Sequence, residues 1–274
     1  MFKSAPTKKT TSPKKGKAMS KVTPFPSDKP TVSRNVLGAQ HPIPESVDPM
    51  LVEILSVPRP HDSPPEIMFK GWLIQTLNDM GYKPTLKAEG AVHVEIRLPD
   101  GQPPSTLFSC HSDTVDAGIY TEGSRKKLDY DANFGTIMLA TDSPVGTCLG
   151  ADDGAGVWLL LKMIEAKVPG GYIFNRGEER GGISAKAIAR VDKDWLAQYQ
   201  VAVAFDRPRD NEVITFQRSS RTCSNKFGEA LCKALNNANP EFDYAISDRG
   251  VYTDTADFAS VVSECTNIGV GSKD

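Results

Sequence analysis

Gly150-Ala151-Asp152-Asp153-Gly154-Ala155-Gly156-Val157 runs directly into the apolar stretch Trp158-Leu159-Leu160-Leu161. Two adjacent carboxylates sit among glycines and alanines, where small residues let backbone and side chains crowd a shared centre. Aspartate at a helix start is favoured by capping and by the helix dipole. Two readings stand: a capped helix N-terminus, and a carboxylate held so that it bridges two cations. The company of the stretch favours the second, because His111-Ser112-Asp113 precedes it and Glu178-Glu179 and Asp206 follow it.

At 274 residues and 39% hydrophobic content, the chain can bury the core of one large α/β domain or two small ones. No apolar stretch approaches the roughly 20 residues that span a bilayer, and the N-terminus lacks a hydrophobic signal core. A soluble, cytoplasmic protein with no membrane partner is expected. The five cysteines are odd in number and form no CxxC, which argues against a disulfide frame or a thiolate zinc site. Cys110, although next to His111, reads as a small buried hydrophobe.

The net charge of −2 is unevenly spread. Residues 1–34 carry eight lysines and Arg34 against Asp28, a net +8, which leaves −10 for the rest. A segment so rich in Lys, Ser, Thr and Pro cannot bury a core, so residues 1–40 are expected to be a disordered basic tail. Its charge suits an anionic partner such as nucleic acid, or the acidic body of the same chain. Residues 41–274 are expected to form the folded unit.

Along that unit, Asp48 to Leu55 reads as a short helix ending near Pro58, and Glu66 to Met80 as a longer one with Phe69, Leu73, Leu77 and Met80 on one face and Gly81 as its stop. Ala91 to Leu98 alternates like a strand, with His93 on its polar side as a surface histidine. Thr106 to Cys110 reads as a compact buried strand that delivers His111 at its end. Asp116 to Phe134 is polar and loop-like, and Gly135 to Ala140 returns as a strand. A helix is expected from about Asp152 to Lys167. Strands are expected over Gly171–Phe174, over Val201–Phe205 with Asp206 at its end, and over Val213–Gln217. Ser224 caps a helix through Asn236, and Asn267 begins a last strand. Interleaved helices and strands place ligands at the C-terminal ends of strands, where His111, Glu178, Glu179 and Asp206 all fall.

Imidazole nitrogen and carboxylate oxygen suit zinc and similar ions. In an HxD pair, Asp113 lies on the same side of an extended segment as His111 and can orient its ring. Of two consecutive glutamates, one can bind metal while the other takes a proton from water. Each element also has a plainer reading: a solvated acidic turn for Glu178-Glu179, a loop cap for Asp206, a core histidine for His111. Their joint occurrence favours the metal site.

In His111-Ser-Asp113-Thr-Val, Gly150-Ala-Asp152-Asp-Gly-Ala-Gly156, Gly177-Glu178-Glu179-Arg-Gly181, Ala204-Phe-Asp206 and Tyr252-Thr253-Asp254, the chain resembles the co-catalytic zinc exopeptidases: bacterial aminopeptidases, peptidase T and the zinc carboxypeptidase-like acyl-amino acid hydrolases. The motifs recur in the family's order and cover about residues 48–274. The resemblance implies that His111, Asp152 and Asp206 hold one zinc. Asp152 bridges to a second, held by Glu179 and a C-terminal histidine; Glu178 is the general base and Asp113 orients His111. It breaks at that last histidine, which the family carries just beyond the strand begun by Asn267. His41, His61 and His93 match no ligand position, so a weakly held second ion or a truncated chain is expected.

Two-domain relatives insert about a hundred residues after the ligand equivalent to Asp206, the size of a domain. Here about fifty residues separate Asp206 from Thr253-Asp254, so the expected architecture is a three-layer α/β/α single domain with a mixed, largely parallel sheet and no inserted lid domain. The implied activity is hydrolysis of short peptide substrates, as an aminopeptidase. Carboxypeptidase or N-acyl amino acid hydrolase action on the same scaffold is the nearest alternative, and a non-catalytic binding or assembly protein is the third.

Overall fold

A computed structural model describes residues 42–271, so the basic tail expected over residues 1–40 lies outside the described residues. The first two helices begin where their caps dictate. Asp48 accepts the Met50 N–H at 2.8 Å ahead of α1 (Pro49–Ser56), and Ser63 accepts the Glu66 N–H ahead of α2 (Pro64–Asp79). Each carries proline at its start, where no intrahelical N–H is lost. Phe69, Leu73 and Leu77 of α2 are buried, as their spacing requires.

The chain continues through β1 (Thr85–Leu86), β2 (Val92–Ile96) and β3 (Thr106–His111), the β4 (Leu128–Asp131) and β5 (Thr136–Leu139) hairpin, α3 (Ala151–Glu165) and β6 (Gly170–Asn175). Then come α4 (Ile183–Val191), α5 (Lys193–Leu196), β7 (Val201–Ala204), β8 (Glu212–Ile214), β9 (Phe216–Gln217) and β10 (Ser220–Arg221). The described chain closes with α6 (Asn225–Ala238), β11 (Ala245–Ser247), α7 (Thr255–Phe258) and β12 (Glu264–Asn267).

Six strands form the main sheet in the order β1-β2-β6-β3-β7-β12. The β6–β3, β3–β7 and β7–β12 pairs are parallel, and β1–β2 and β2–β6 antiparallel, so the sheet is mixed and largely parallel. Side chains alternate between two cores. Phe108, Cys110, Tyr172, Phe174 and Val203 pack toward α1, α2 and α3 with Leu73, Leu77, Val157 and Leu161. Leu107, Ile173 and Ala202 pack the other way, with Ala185 and Ile188 of α4, Leu196 of α5 and Phe258 of α7. A sheet covered on both faces is the expected three-layer α/β/α arrangement. No helix among the described residues is long and apolar enough to cross a membrane.

Several local expectations are corrected. His93 is buried rather than on the surface: it faces Trp195 edge-on, and its ring nitrogens lie 3.2 Å from Thr85 Oγ1 and from Tyr199 Oη. Burial pushes its imidazole down to about 3, because the charged form would lose its water. The polar stretch after Asp116 contains β4, which finds its partner only through β5. The strand expected over Val213–Gln217 breaks into β8 and β9. The last strand ends at Asn267 rather than starting there. Its composition, Glu-Cys-Thr-Asn, is too polar to read as a buried strand, and tertiary partners satisfy it: Thr266 Oγ1 donates to the Ile214 carbonyl at 2.7 Å. Helix α4 has no side-chain cap and follows Gly181-Gly182, so it carries no start signal.

Candidate metal centre and cleft

Strand register assembles the site. Ser109 of β3 pairs with Ala204 of β7, so two residues further on His111 and Asp206 stand at the same sheet edge. On the other side of β3, His111 pairs with Asn175 of β6, which sends the Gly177–Gly182 loop with Glu178 and Glu179 out at that edge. Three of that loop's glycines adopt positive φ (Gly177 +71°, Gly181 +87°, Gly182 +74°), a region that side-chain-bearing residues avoid.

The start of α3 supplies the remaining carboxylates. Gly150 is left-handed, and Asp152 and Asp153 depart from helical angles, with a cis peptide between them. Asp153 turns inward: its Oδ2 accepts the His111 N–H at 3.1 Å and its Oδ1 the Gly156 N–H at 2.9 Å. A Cβ on Gly156 would meet Asp153 Oδ1 at 2.3 Å, so that position requires glycine. Asp152 turns outward and places Oδ1 2.9 Å from His111 Nε2.

His111 is 1% exposed. Its Nδ1 lies 3.0 Å from the Asp113 carbonyl, which can only accept, so Nδ1 carries a proton and Nε2 faces Asp152 and, at 3.8 Å, Asp206 Oδ1. The expected contact between the Asp113 carboxylate and the ring is longer, 3.6 Å from Oδ1 to Nδ1. That carboxylate instead accepts the N–H groups of Glu178 (3.1 Å) and Glu179 (3.2 Å), so one residue positions the imidazole through its backbone carbonyl and the glutamate loop through its side chain.

Ligand-type atoms of His111, Asp152 and Asp206 lie within 4.8 Å of one another, as do those of His111, Glu178 and Glu179. Burial, aided by Asp206 and Glu179, pushes Glu178 up to about 8 against the pull of His111, and burial lifts Glu179 to about 7. Burial pulls the His111 ring down, but the carboxylates of Asp113, Asp152 and Asp206 together hold it well above its usual range. Behind Glu178, Asp254 is 1% exposed, and neither carboxylate oxygen has a hydrogen-bond partner among the described residues. Burial first, and then Glu178, pushes this carboxyl well up. One imidazole among so many crowded carboxylates is a hard-oxygen-plus-nitrogen donor set with excess negative charge, which fits cations of the zinc type.

Asp152, Glu178, Glu179 and Asp206 line a cleft of about 370 Å³ together with Arg207, Ile214, Gln217, Val251, Tyr252 and Asn267. The Arg207 guanidinium is held by Glu212, at 2.8 Å from Nε and 2.7 Å from Nη2. Asn267 secures Asp206 by accepting its N–H at 2.9 Å and donating to its carbonyl at 2.6 Å. Arg218 lies over the Tyr252 ring at 3.7 Å, and Tyr252 Oη donates to Asp257 at 2.6 Å. Gln217 and Asn267 carry no motif in sequence; they reach the cleft only because β9 and β12 end there. A larger cavity of about 550 Å³ between β8, β11 and the start of α6 contains none of the proposed ligands.

No protein-family profile matches the chain, and no curated protein sequence matches it. Solved structures do. An aminopeptidase from the archaeon Desulfurococcus kamchatkensis gives a TM-score of 0.56 at 16% identity, over 81% of this chain and 85% of its own. The Pyrococcus horikoshii TET1 peptidase, which can assemble into a tetrahedron or a large octahedral shell, gives 0.54 at 16% identity over 81% and 89%. The LapA aminopeptidase of Legionella pneumophila gives 0.53 at 16% identity over 80% of this chain, which spans 58% of that protein's length. The chain has the fold of these peptidases, and the resemblance to metallo-exopeptidases read from its motifs is borne out at the level of fold.

Proposed function

We propose that the chain is a metal-dependent exopeptidase of short peptides, acting as an aminopeptidase, with residues 41–274 as its catalytic unit and no inserted lid domain. The observation that carries this reading is the convergence of buried His111 with Asp152, Asp206, Glu178 and Glu179, four carboxylates that line one cleft at the C-terminal sheet edge of a peptidase fold. His111, Asp152 and Asp206 are the proposed ligands of one zinc, and Asp152 and Glu179 of a second. Bound zinc supplies Lewis-acid polarisation of the scissile carbonyl and acidifies water. The chain's own residues do the rest. Asp113 fixes the His111 tautomer and the glutamate loop. The Glu178 carboxylate takes the proton of the attacking water and returns it to the leaving amine nitrogen.

The substrate's amino terminus, rather than its carboxylate, suits the cleft. Among the described residues that line it, the one cation is Arg207, which is paired with Glu212. With four carboxylates and one arginine in its lining, the cleft is predominantly acidic, which disfavours a substrate carboxylate more than an α-ammonium. The five cysteines are free thiols, compatible with a cytoplasmic location.

Zinc titration with peptide hydrolysis tests the reading. Three protein ligands serve the first ion and two the second among the described residues, so one tightly bound zinc and one weaker is expected. Leucine p-nitroanilide should then be turned over, and Glu178→Gln should lower turnover roughly 100-fold or more without changing zinc content. A chain that takes up no metal, or whose Glu178→Gln variant keeps full activity, would rule the proposal out.

A further inference from the structure

Two side-chain amides line the cleft, and their bonding differs. Both ends of the Asn267 amide are occupied by the Asp206 backbone. Gln217, 1% exposed, is only half satisfied. Its Nε2 donates to Thr255 Oγ1 at 3.1 Å and to Thr222 Oγ1 at 3.4 Å, while Oε1 is buried with no hydrogen-bond partner among the described residues. Thr255 gives its hydroxyl proton to the Thr266 carbonyl at 3.2 Å, so toward Gln217 it can only accept. With the nitrogen on the two threonines, the oxygen is left on the free branch.

A buried acceptor without a donor is costly and uncommon in native proteins. Here the unsatisfied oxygen belongs to a residue that lines the cleft, beside the proposed metal ligands. A peptide held by its first residue brings N–H donors into such a cleft. We infer that Gln217 Oε1 is a substrate-binding acceptor, taking a hydrogen bond from an N–H of the bound peptide. The donor is either the α-ammonium or the first peptide N–H. This inference rests on the exopeptidase reading above.

The test uses the full zinc-loaded chain carrying Glu178→Gln, expected to turn peptide over roughly 100-fold or more slowly, and measures binding of L-leucyl-L-alanine by calorimetry. Adding Gln217→Met, similar in volume but without an acceptor, should weaken Kd by about 10- to 100-fold. The des-amino analogue 4-methylpentanoyl-L-alanine and the N-methylated dipeptide identify the donor. Whichever lacks it should bind equally with Gln217 and with the Gln217→Met change. If Gln217→Met fails to fold, Thr255→Val, which frees the amide to turn, should still weaken the dipeptide by about three- to tenfold. Unchanged dipeptide affinity in the folded variant, or in Thr255→Val where only that variant folds, overturns the inference and leaves the peptidase reading intact. No dipeptide binding to the Glu178→Gln chain at all would overturn both.

Discussion

Asp152 presents a side chain 43% exposed to the cleft, whereas Asp153 beside it is fully buried and gives both oxygens to backbone N–H groups of His111 and Gly156. Adjacent carboxylates thus have different surroundings, Asp152 as a proposed ligand at the cleft and Asp153 as part of the buried fold. Asp152→Ala should strip zinc and activity together while the melting temperature of the metal-free chain stays within about 2 °C. Asp153→Ala leaves two donors without an acceptor and should destabilise the chain by about 2–3 kcal/mol. Calorimetry and elemental analysis on the pair check both; full zinc content in Asp152→Ala would remove it from the ligand set. Asp113 is a third case. Its two oxygens accept adjacent N–H groups, so Asp113→Asn would oppose one donor with another and lower turnover by roughly 10- to 100-fold.

At the scale of elements, the site is held by a buried cation. Arg59, which follows α1, donates through Nε to the Ser112 carbonyl (2.7 Å) and through Nη2 to the Gly150 carbonyl (2.9 Å). Nη1 reaches the carbonyls of Ile54 and Val57. One guanidinium therefore ties the end of α1, the exit of β3 and the entry of α3, the segments that carry His111 and Asp152. Arg59→Met should cost about 3 kcal/mol by leaving several carbonyls unpaired, and Arg59→Lys should recover only part, since an ammonium lacks the planar fork. Denaturant unfolding decides it, and a loss under about 1 kcal/mol would show that the carbonyls find other partners. A comparable anchor joins α2 to the glutamate loop: Arg176, two residues before Glu178, is held by buried Glu66 at 2.6 and 2.5 Å.

The whole molecule concentrates negative charge where the sheet edge gathers its loops, and this sets a pH dependence. Glu178 at about 8 and Glu179 at about 7 hold protons more tightly than free glutamates do. Their contribution to stability is complete below about pH 4.5 and is lost as pH rises through 7 and 8. His111, also raised, acts in the same direction. The metal-stripped chain should therefore melt roughly 5 °C or more lower at pH 8.5 than at pH 5.5, with zinc flattening the slope. A flat profile without metal would show that the carboxylates are not crowded in solution. The +8 of residues 1–34 against −10 elsewhere belongs to the same scale. Deleting them should leave peptide hydrolysis unchanged and abolish any association that weakens as salt is raised, measured by retention on an anionic resin.

Caps, periodicity and motif order are local properties, and they were legible: the starts of α1 and α6, the apolar face of α2, the buried strand that delivers His111, and the order of the candidate ligands from His111 to Asp206. The three-layer sheet followed because alternating helices and strands admit few arrangements. What depended on partners distant in sequence was not. His93 is buried because Trp195 and Tyr199, a hundred residues on, cover it. Polar β12 is a strand because Val201–Ala204 pairs with it and Ile214 accepts from Thr266. Gln217 joins the cleft because Thr255 and Thr222 turn its amide, and Arg59 matters because three segments close around it. The sequence by itself determined which side chains could ligate and in what order they come, since ligand chemistry resides in residue type. Only the tertiary structure decided which of them meet and what stands opposite them, because distance, burial and unsatisfied hydrogen bonds arise when remote segments pack.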